Sequence, residues 1–258
     1  LNITSAIGVA CAFYYTAVLL ADGTVRTFGF NNQGQLGVND TTQRNTPVQV
    51  WGISSSAVAV ACWGYHTVVL LADGTVRTFG WNNSGQLGVN DTTSRLTPVT
   101  VLNITSATAV ASGAYHTAIL LSNGTVRTCG KNQYGELGVN DTTSRLTPVQ
   151  VWGISSSATA IAGSAPGSTM ILLSDGTVRT FGRNDHGQLG VNDTTSRLTP
   201  VQVWGVSSSA VAIAYGSLHT AVLLQDGTVR TFGQNGSGQL GVNDTTSRLT
   251  PVQVIAAP

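Results

Sequence analysis

Charge is scarce in this sequence. Only 9% of its 258 residues are charged, 12 basic against 11 acidic, and eleven of the basic residues are arginine, which leaves Lys131 as the single lysine. A chain so nearly neutral offers no basic stripe for nucleic acid and no cationic surface for an anionic membrane. Long apolar runs are missing too, none approaching the roughly 18 residues that span a bilayer, so membrane insertion is not expected. Cysteine is limited to Cys11, Cys62 and Cys129, an odd number without metal-ligand spacing. No window carries a sustained 3.6-residue apolar period, which excludes helical repeats. No basic, apolar leader opens the chain at Leu1, and no targeting segment is expected in it.

What is present is a repeat. Gly-Thr-Val-Arg-Thr recurs at Gly23, Gly74, Gly124, Gly176 and Gly227, a period of about 51 residues. Cutting after each Thr-Pro-Val-x-Val gives units 1–50, 51–101, 102–151, 152–203 and 204–254, with 255–258 as a tail. In the second unit, Ala57 to Ala61 and Thr67 to Leu71 read as buried strands, Asp73-Gly74 as a hairpin turn and Val76 to Phe79 as a third strand. Pro98 to Val101 follows as a fourth, edge-like strand. One such meander cannot bury both its faces, so the units must pack on one another. The expected fold is an all-β propeller of five four-stranded antiparallel blades, forming a single domain, with an open β-solenoid as the alternative.

The unit resembles the repeat of the RCC1-like (regulator of chromosome condensation) propeller family. In the second unit the resemblance is carried by Val60-Ala61, Gly64-Tyr65-His66-Thr67, Leu70, Asp73-Gly74, Val76, Phe79-Gly80, Asn82, Gly85-Gln86-Leu87-Gly88 and Pro98-Val99. It extends over essentially all of Leu1 to Val254. The family's propellers usually have seven blades where this chain has five, and its repeats are seldom so alike. The second departure suggests recent duplication or engineering. Some members bind a protein partner through loops at these repeat positions, which implies the same face here without implying the same partner.

Comparing the units separates what every blade needs from what one blade needs. Variation concentrates in two windows. The first covers Cys11 to Tyr15, Cys62 to His66, Ser112 to His116, Gly163 to Ser168 and Tyr215 to His219; the second covers Phe30 to Gln33, Trp81 to Ser84, Lys131 to Tyr134, Arg183 to His186 and Gln234 to Ser237. In a meander both windows fall on one end of the sheet, opposite the repeated Asp-Gly turns, where Asn123 takes the place of Asp in the third unit. Ten of the 17 aromatic residues lie in these windows. Tyr, Trp and Arg on a rigid frame offer large contact area at small entropic cost, which is how protein hot spots are built. The candidate binding residues are therefore Tyr14, Trp63, Tyr65, Trp81, Tyr115, Tyr134, Arg183 and Tyr215, with Tyr65, Tyr115 and their equivalents also readable as plugs of the propeller.

Catalytic readings fare poorly, because the acidic and arginine sets recur blade after blade where chemistry needs a group once. They read as turn formers and as inter-strand or inter-blade partners. His66, His116 and His219 are equivalent and cannot converge on a metal; each reads as a strand-start histidine bonded within its blade. Cys129 stands where four other blades carry Phe and reads as a small buried hydrophobe, and Cys11 and Cys62 are neighbours that could pair. No cofactor and no enzyme activity are expected. The expectation is a non-enzymatic scaffold that binds a protein through the varied face. A multivalent lectin would need near-identical pockets in every blade, which these windows lack, although one composite glycan site stays open. The alternatives are a structural or display subunit of a surface assembly, with an extracellular or surface location and an oligomeric state; a duplicated or engineered propeller; and, further off, guanine-nucleotide exchange, the activity of the family's eponymous member.

Overall fold

Runs of Val, Ile, Leu and Thr extend into strands and glycine-bearing turns reverse the chain between them. The computed structural model describes residues 3–164 and 167–255. Leu1 and Asn2 of the first unit, Ala165 and Pro166 of the fourth variable window, and residues 256–258 of the expected tail lie outside the described residues. Blade 1 comprises β1 (Ala6–Cys11), β2 (Tyr15–Leu20), β3 (Val25–Gly29) and β4 (Arg44–Gln49). Blade 2 comprises β5 (Ala57–Trp63), β6 (His66–Leu71), β7 (Val76–Gly80) and β8 (Arg95–Thr100). Blade 3 has β9 (Ala107–Ser112), β10 (His116–Leu121), β11 (Val126–Gly130) and β12 (Arg145–Gln150). Blade 4 has β13 (Ala158–Gly163), β14 (Ser168–Leu173), β15 (Val178–Gly182) and β16 (Arg197–Gln202), and blade 5 has β17 (Ala210–Tyr215), β18 (His219–Leu224), β19 (Val229–Gly233) and β20 (Arg248–Gln253). Every blade is one antiparallel sheet in chain order. First strands pack on the first and second strands of the blade before, so they are innermost and the fourth strands form the rim.

The Asp-Gly hairpins use a three-residue loop. In blade 2 Gly74 N–H donates to Leu71 O at 3.0 Å and Leu71 N–H to Thr75 O at 2.9 Å, with Gly74 at φ +78° where a side chain would be strained. Asp73 Oδ1 accepts from the Thr75 hydroxyl at 2.7 Å and its N–H at 2.9 Å, and these bonds hold the carboxyl below its usual range. Asn123 accepts the same two bonds in blade 3. The turn needs an acceptor oxygen rather than a charge, so Asn can stand in for Asp.

The core lies between blades. One cluster joins Leu19, Val25 and Val50 of blade 1 to Ile53, Ala57, Val69, Leu71 and Phe79 of blade 2, and equivalent clusters fill the other junctions. Three polar bonds repeat at each junction. At the first, Ala57 N–H donates to Gly23 O at 3.0 Å, Asn39 N–H to Leu96 O at 2.9 Å and Thr67 Oγ1 to Gln35 O at 2.8 Å.

The two end faces show what a junction buries. Leu223 of β18 is 38% exposed, whereas its equivalents Leu19, Leu70, Leu120 and Leu172 are 3 to 6% exposed. Val229 and Val254 are partly uncovered where their counterparts are buried. A Cβ on Gly227 would meet open space, while one on Gly74 would come within 2.7 Å of Thr105 O in the next blade. On the opposite end Ala6 and Val9 are exposed and Phe28 is half-buried, against full burial of Phe79, Phe181 and Phe232. The five blades form an arc whose first and last packing faces are uncovered.

Candidate binding face

The two variable windows are locked together within each blade by one backbone bond. Trp81 N–H donates to Tyr65 O at 2.9 Å, and the same bond joins Phe30 to Tyr14, Lys131 to Tyr115, Arg183 to Gly167 and Gln234 to Leu218. The approach is so close that a Cβ on Gly80, at φ +101°, would lie 2.4 Å from Tyr65 O. Beneath the second window a buried asparagine acts as a rivet. Asn82 Nδ2 donates to Asp91 O at 2.9 Å and Thr93 O at 3.1 Å, while its Oδ1 accepts from Leu87 N–H at 2.9 Å. Gln86 Oε1 accepts from Ser84 N–H at 3.0 Å, fixing the crest of the loop. The Asp91 carboxylate in turn binds Arg95 at 2.5 Å, and the Arg95 bond is the leading reason its pKa is low.

On this repeated frame the varied side chains form a continuous row. Phe13 packs on Trp63 with centroids 5.0 Å apart and on Tyr14 at 6.2 Å. From Tyr14 the row runs to Phe30 at 6.0 Å, Tyr65 at 6.4 Å, Trp81 at 5.8 Å and Tyr115 at 5.2 Å. The last two contacts are edge-to-face, with interplanar angles of 76° and 78°, the geometry that ring quadrupoles favour. Lys131 Nζ then sits 5.2 Å from the Tyr115 centroid and 5.9 Å from that of Tyr134, and the Arg183 guanidinium lies 5.0 Å from Tyr134. Arg183 Nε donates to Asp185 at 2.7 Å, which raises its pKa further. Tyr14 is 65% exposed and Phe13 47%, while Trp63, Tyr65, Trp81, Tyr115, Tyr134 and Arg183 are half-buried.

Seven of the eight residues singled out in the sequence therefore meet in this row. Tyr215 does not: it ends β17, packs against the cluster around Met170 and Phe232, and its hydroxyl is buried without a partner, so burial pushes its pKa well up. Phe13, Phe30 and Lys131 complete the row, and their only signal in the sequence is membership of the two windows.

Histidine takes a different role from the one expected. His66 and His116 are buried plugs bonded across the junction rather than within their own blades. His66 Nε2 meets Thr117 Oγ1 of blade 3 at 3.0 Å, and His116 Nε2 meets Thr169 Oγ1 of blade 4 at 2.9 Å. Each threonine hydroxyl already donates to a carbonyl, Gln86 O and Glu136 O respectively, so each histidine donates from Nε2–H and is neutral. Burial lowers their pKa values to about 3 and about 4. Tyr15 replaces this histidine in blade 1, its hydroxyl donating to His66 O at 2.6 Å. The plugs are thus the residues after Tyr65 and Tyr115, which leaves those tyrosines free for the face.

The cysteines are free thiols, Cys11 exposed and Cys62 and Cys129 buried, and burial pushes both buried thiols up to about 12. The repeated arginines divide into two sets. Arg44, Arg95, Arg145, Arg197 and Arg248, each opening a fourth strand, pair with the aspartate four residues before them in the loop that leads into that strand. Arg26, Arg77, Arg127, Arg179 and Arg230 make no ion pair or side-chain hydrogen bond among the described residues, contrary to the partner role expected of them.

An RCC1-like domain model matches residues 2–257. The chain belongs to the RCC1-like domain family. Among curated proteins, this RCC1-like domain is 34% identical over 250 residues to the probable E3 ubiquitin-protein ligase HERC4 of Rattus norvegicus, covering 95% of the chain and 19% of that protein. It is 31% identical over 247 residues to the ultraviolet-B receptor UVR8 of Arabidopsis thaliana, covering 94% of the chain and 56% of the receptor. The chain thus spans from a fifth to about half of these relatives. Among solved structures it superposes on yeast RCC1 (Prp20) in complex with Kap60 with a TM-score of 0.84, 20% identity, and coverage of 97% of the chain and 61% of the other. Human WBSCR16 gives a TM-score of 0.84 at 22% identity, with coverage of 97% and 67%. These likenesses establish the propeller fold.

Proposed function

We propose that this RCC1-like domain is a non-enzymatic binding module that takes a protein partner across the face carrying the aromatic row. The observation that supports this most is the row itself: seven half-exposed or exposed aromatic rings in unbroken contact from Phe13 to Tyr115, ending in Tyr134 between two cations. Its members lie in the two windows where variation between the blades concentrates, above a repeated frame of buried Asn and Gln bonds in which Glu136 alone replaces Gln. Rings locked against one another lose little freedom on binding, so contact area converts to affinity efficiently. The relatives agree with a protein partner, since yeast RCC1 has been crystallised with Kap60 and Prp20p has been studied for binding to Gsp1p and histones. A photoreactive residue at Tyr115, compared with one at Asn123 in the turn on the opposite face, tests the reading. Cross-links to a partner from the Tyr115 position and none from Asn123 are expected; the reverse pattern overturns it.

A second reading, a subunit of an assembly, has the uncovered end faces in its favour. Phe28 and Val9 at one end and Leu223 and Val229 at the other are what neighbouring blades bury elsewhere. Light scattering separates the two: one chain mass favours the binding module, a defined multiple the subunit.

A further inference from the structure

The outer edge of the blade junctions carries a second set of exposed aromatics that the variable face does not use. Trp51, Trp152 and Trp204, each opening its unit just past the fourth strand of the preceding blade, are 57%, 59% and 56% exposed. Tryptophan is the residue with most to gain from burial, so three of them left open at one repeated position need an account. They are not loose: each backbone N–H donates at 2.9 Å to a glycine carbonyl, Gly37, Gly138 and Gly190 in turn. Beside Trp51 lies a cavity of about 400 Å³ whose walls include Asn39, Arg77, Thr97 and Pro98. Its floor is open at Gly52, where a Cβ would meet nothing within 4 Å, and the same holds at Gly153 and Gly205.

The second observation is independent of the tryptophans. Arg77 belongs to the arginine set that makes no ion pair or side-chain hydrogen bond among the described residues, and no acidic residue lines the cavity. A planar fork of donors without an acceptor beside an exposed indole combines two recognition elements. The guanidinium suits a carboxylate held by paired hydrogen bonds, and the indole face suits the C–H face of a pyranose ring. The Asn39 amide and Thr97 hydroxyl supply donors and acceptors for ring hydroxyls. The set recurs as Asn140, Trp152, Arg179 and Thr199, and again as Asn192, Trp204, Arg230 and Thr250. The remaining junction keeps Arg127 but has Leu102 and Asn103 in place of Trp and Gly, and so serves as an internal control. A residue set repeated at three junctions, which the variable face lacks, is what a multivalent glycan binder requires.

We propose that the rim is a repeated acidic-sugar site, three equivalent pockets each taking one uronic-acid residue of a polyanionic glycan. The carboxylate lies on Arg77, Arg179 or Arg230 and the ring stacks on the neighbouring tryptophan. This site is separate from the protein-binding face and stands or falls without it. One ring per pocket binds weakly, and a chain that reaches several pockets gains by effective concentration.

The test uses the whole chain with its five indole N–H signals followed by NMR, titrated with methyl glucuronide, methyl glucoside and a glucuronate oligomer. The glucuronide should shift the signals of Trp51, Trp152 and Trp204 and leave Trp63 and Trp81 in place. The glucoside should bind at least about fivefold more weakly, and the oligomer at least about tenfold more tightly than the monomer. The triple variant Arg77→Gln, Arg179→Gln, Arg230→Gln, whose arginines make no ion pair or side-chain hydrogen bond among the described residues and act on the turn aspartates Asp73, Asp175 and Asp226 only through space, should erase the preference for the acid sugar. No shift at the three tryptophans, equal response to both monosaccharides, or a preference that survives the triple variant overturns the proposal. So does a shift of these signals with protein concentration alone, which would make the rim a contact between copies.

Discussion

At Glu136 a carboxyl stands where the other blades carry Gln35, Gln86, Gln188 and Gln239. It keeps the structural bond, accepting from Tyr134 N–H at 2.6 Å, but burial raises its pKa, with Lys131 pulling the other way. The folded state then binds this proton more tightly than the unfolded chain. Its contribution to stability falls as pH rises from the ordinary glutamate value of about 4.3 through the raised folded value. Glu136→Gln should raise Tm at pH 7, and that gain should vanish near pH 4; a gain that grows on acidification contradicts the burial argument. Histidine works in the opposite direction. His66 and His116 must stay neutral in their junctions, so stability falls as pH drops from about 6.5, where unfolded histidine titrates, towards the folded values of about 4 and about 3. Each costs up to about 1.4 kcal/mol per pH unit in that window. His116→Ser, which copies Ser168 of blade 4, should flatten the slope of unfolding free energy between pH 6.5 and 4, measured by denaturant titration at a series of pH values. An unchanged slope would place the acid sensitivity elsewhere.

The strands compare the same residue with and without a neighbour. Leu70 in β6 is 3% exposed under blade 3, and Leu223 in β18 is 38% exposed with no blade beyond it. Leu70→Ala should cost about 2–5 kcal/mol, the usual loss for a buried leucine, and Leu223→Ala less than about half as much. At this size about 2–4 °C of Tm accompanies each kcal/mol, so thermal melts resolve the two. Equal losses would mean that the end face is covered. The strands, their order and the turns between them were legible in the repeat, because alternating Val, Leu and Ala between Gly-bearing turns admits one local solution. Spacing shows which residues are equivalent, and it is silent on what lies across a junction. That is why the histidine partners, the unpaired arginines and the uncovered ends appear only in three dimensions. The face was legible as a pair of windows; that Phe13, Phe30 and Lys131 join its aromatics into one row, and that Tyr215 turns inward, depends on packing between blades.

As a whole molecule the RCC1-like domain divides its labour by surface. The junctions carry the core, the turns repeat with one Asp-to-Asn exchange at Asn123, and one face holds the individual side chains. The Asn82 and Gln86 type of rivet lets that face change from Trp81 to Lys131 to Arg183 without disturbing the blade, because the side chains that vary are not those that hold the loop. The central claim is that partner binding resides in the aromatic row and folding does not. It is tested most directly by quantitative affinity capture with the wild-type chain and the Tyr65→Ala, Trp81→Ala double variant, with Ala72→Lys in the exposed turn on the opposite face as the control. The account predicts that a partner captured by the wild type is retained by Ala72→Lys and lost at least about tenfold by a double variant that still unfolds cooperatively. Equal capture by the double variant, or loss with Ala72→Lys alone, would contradict it.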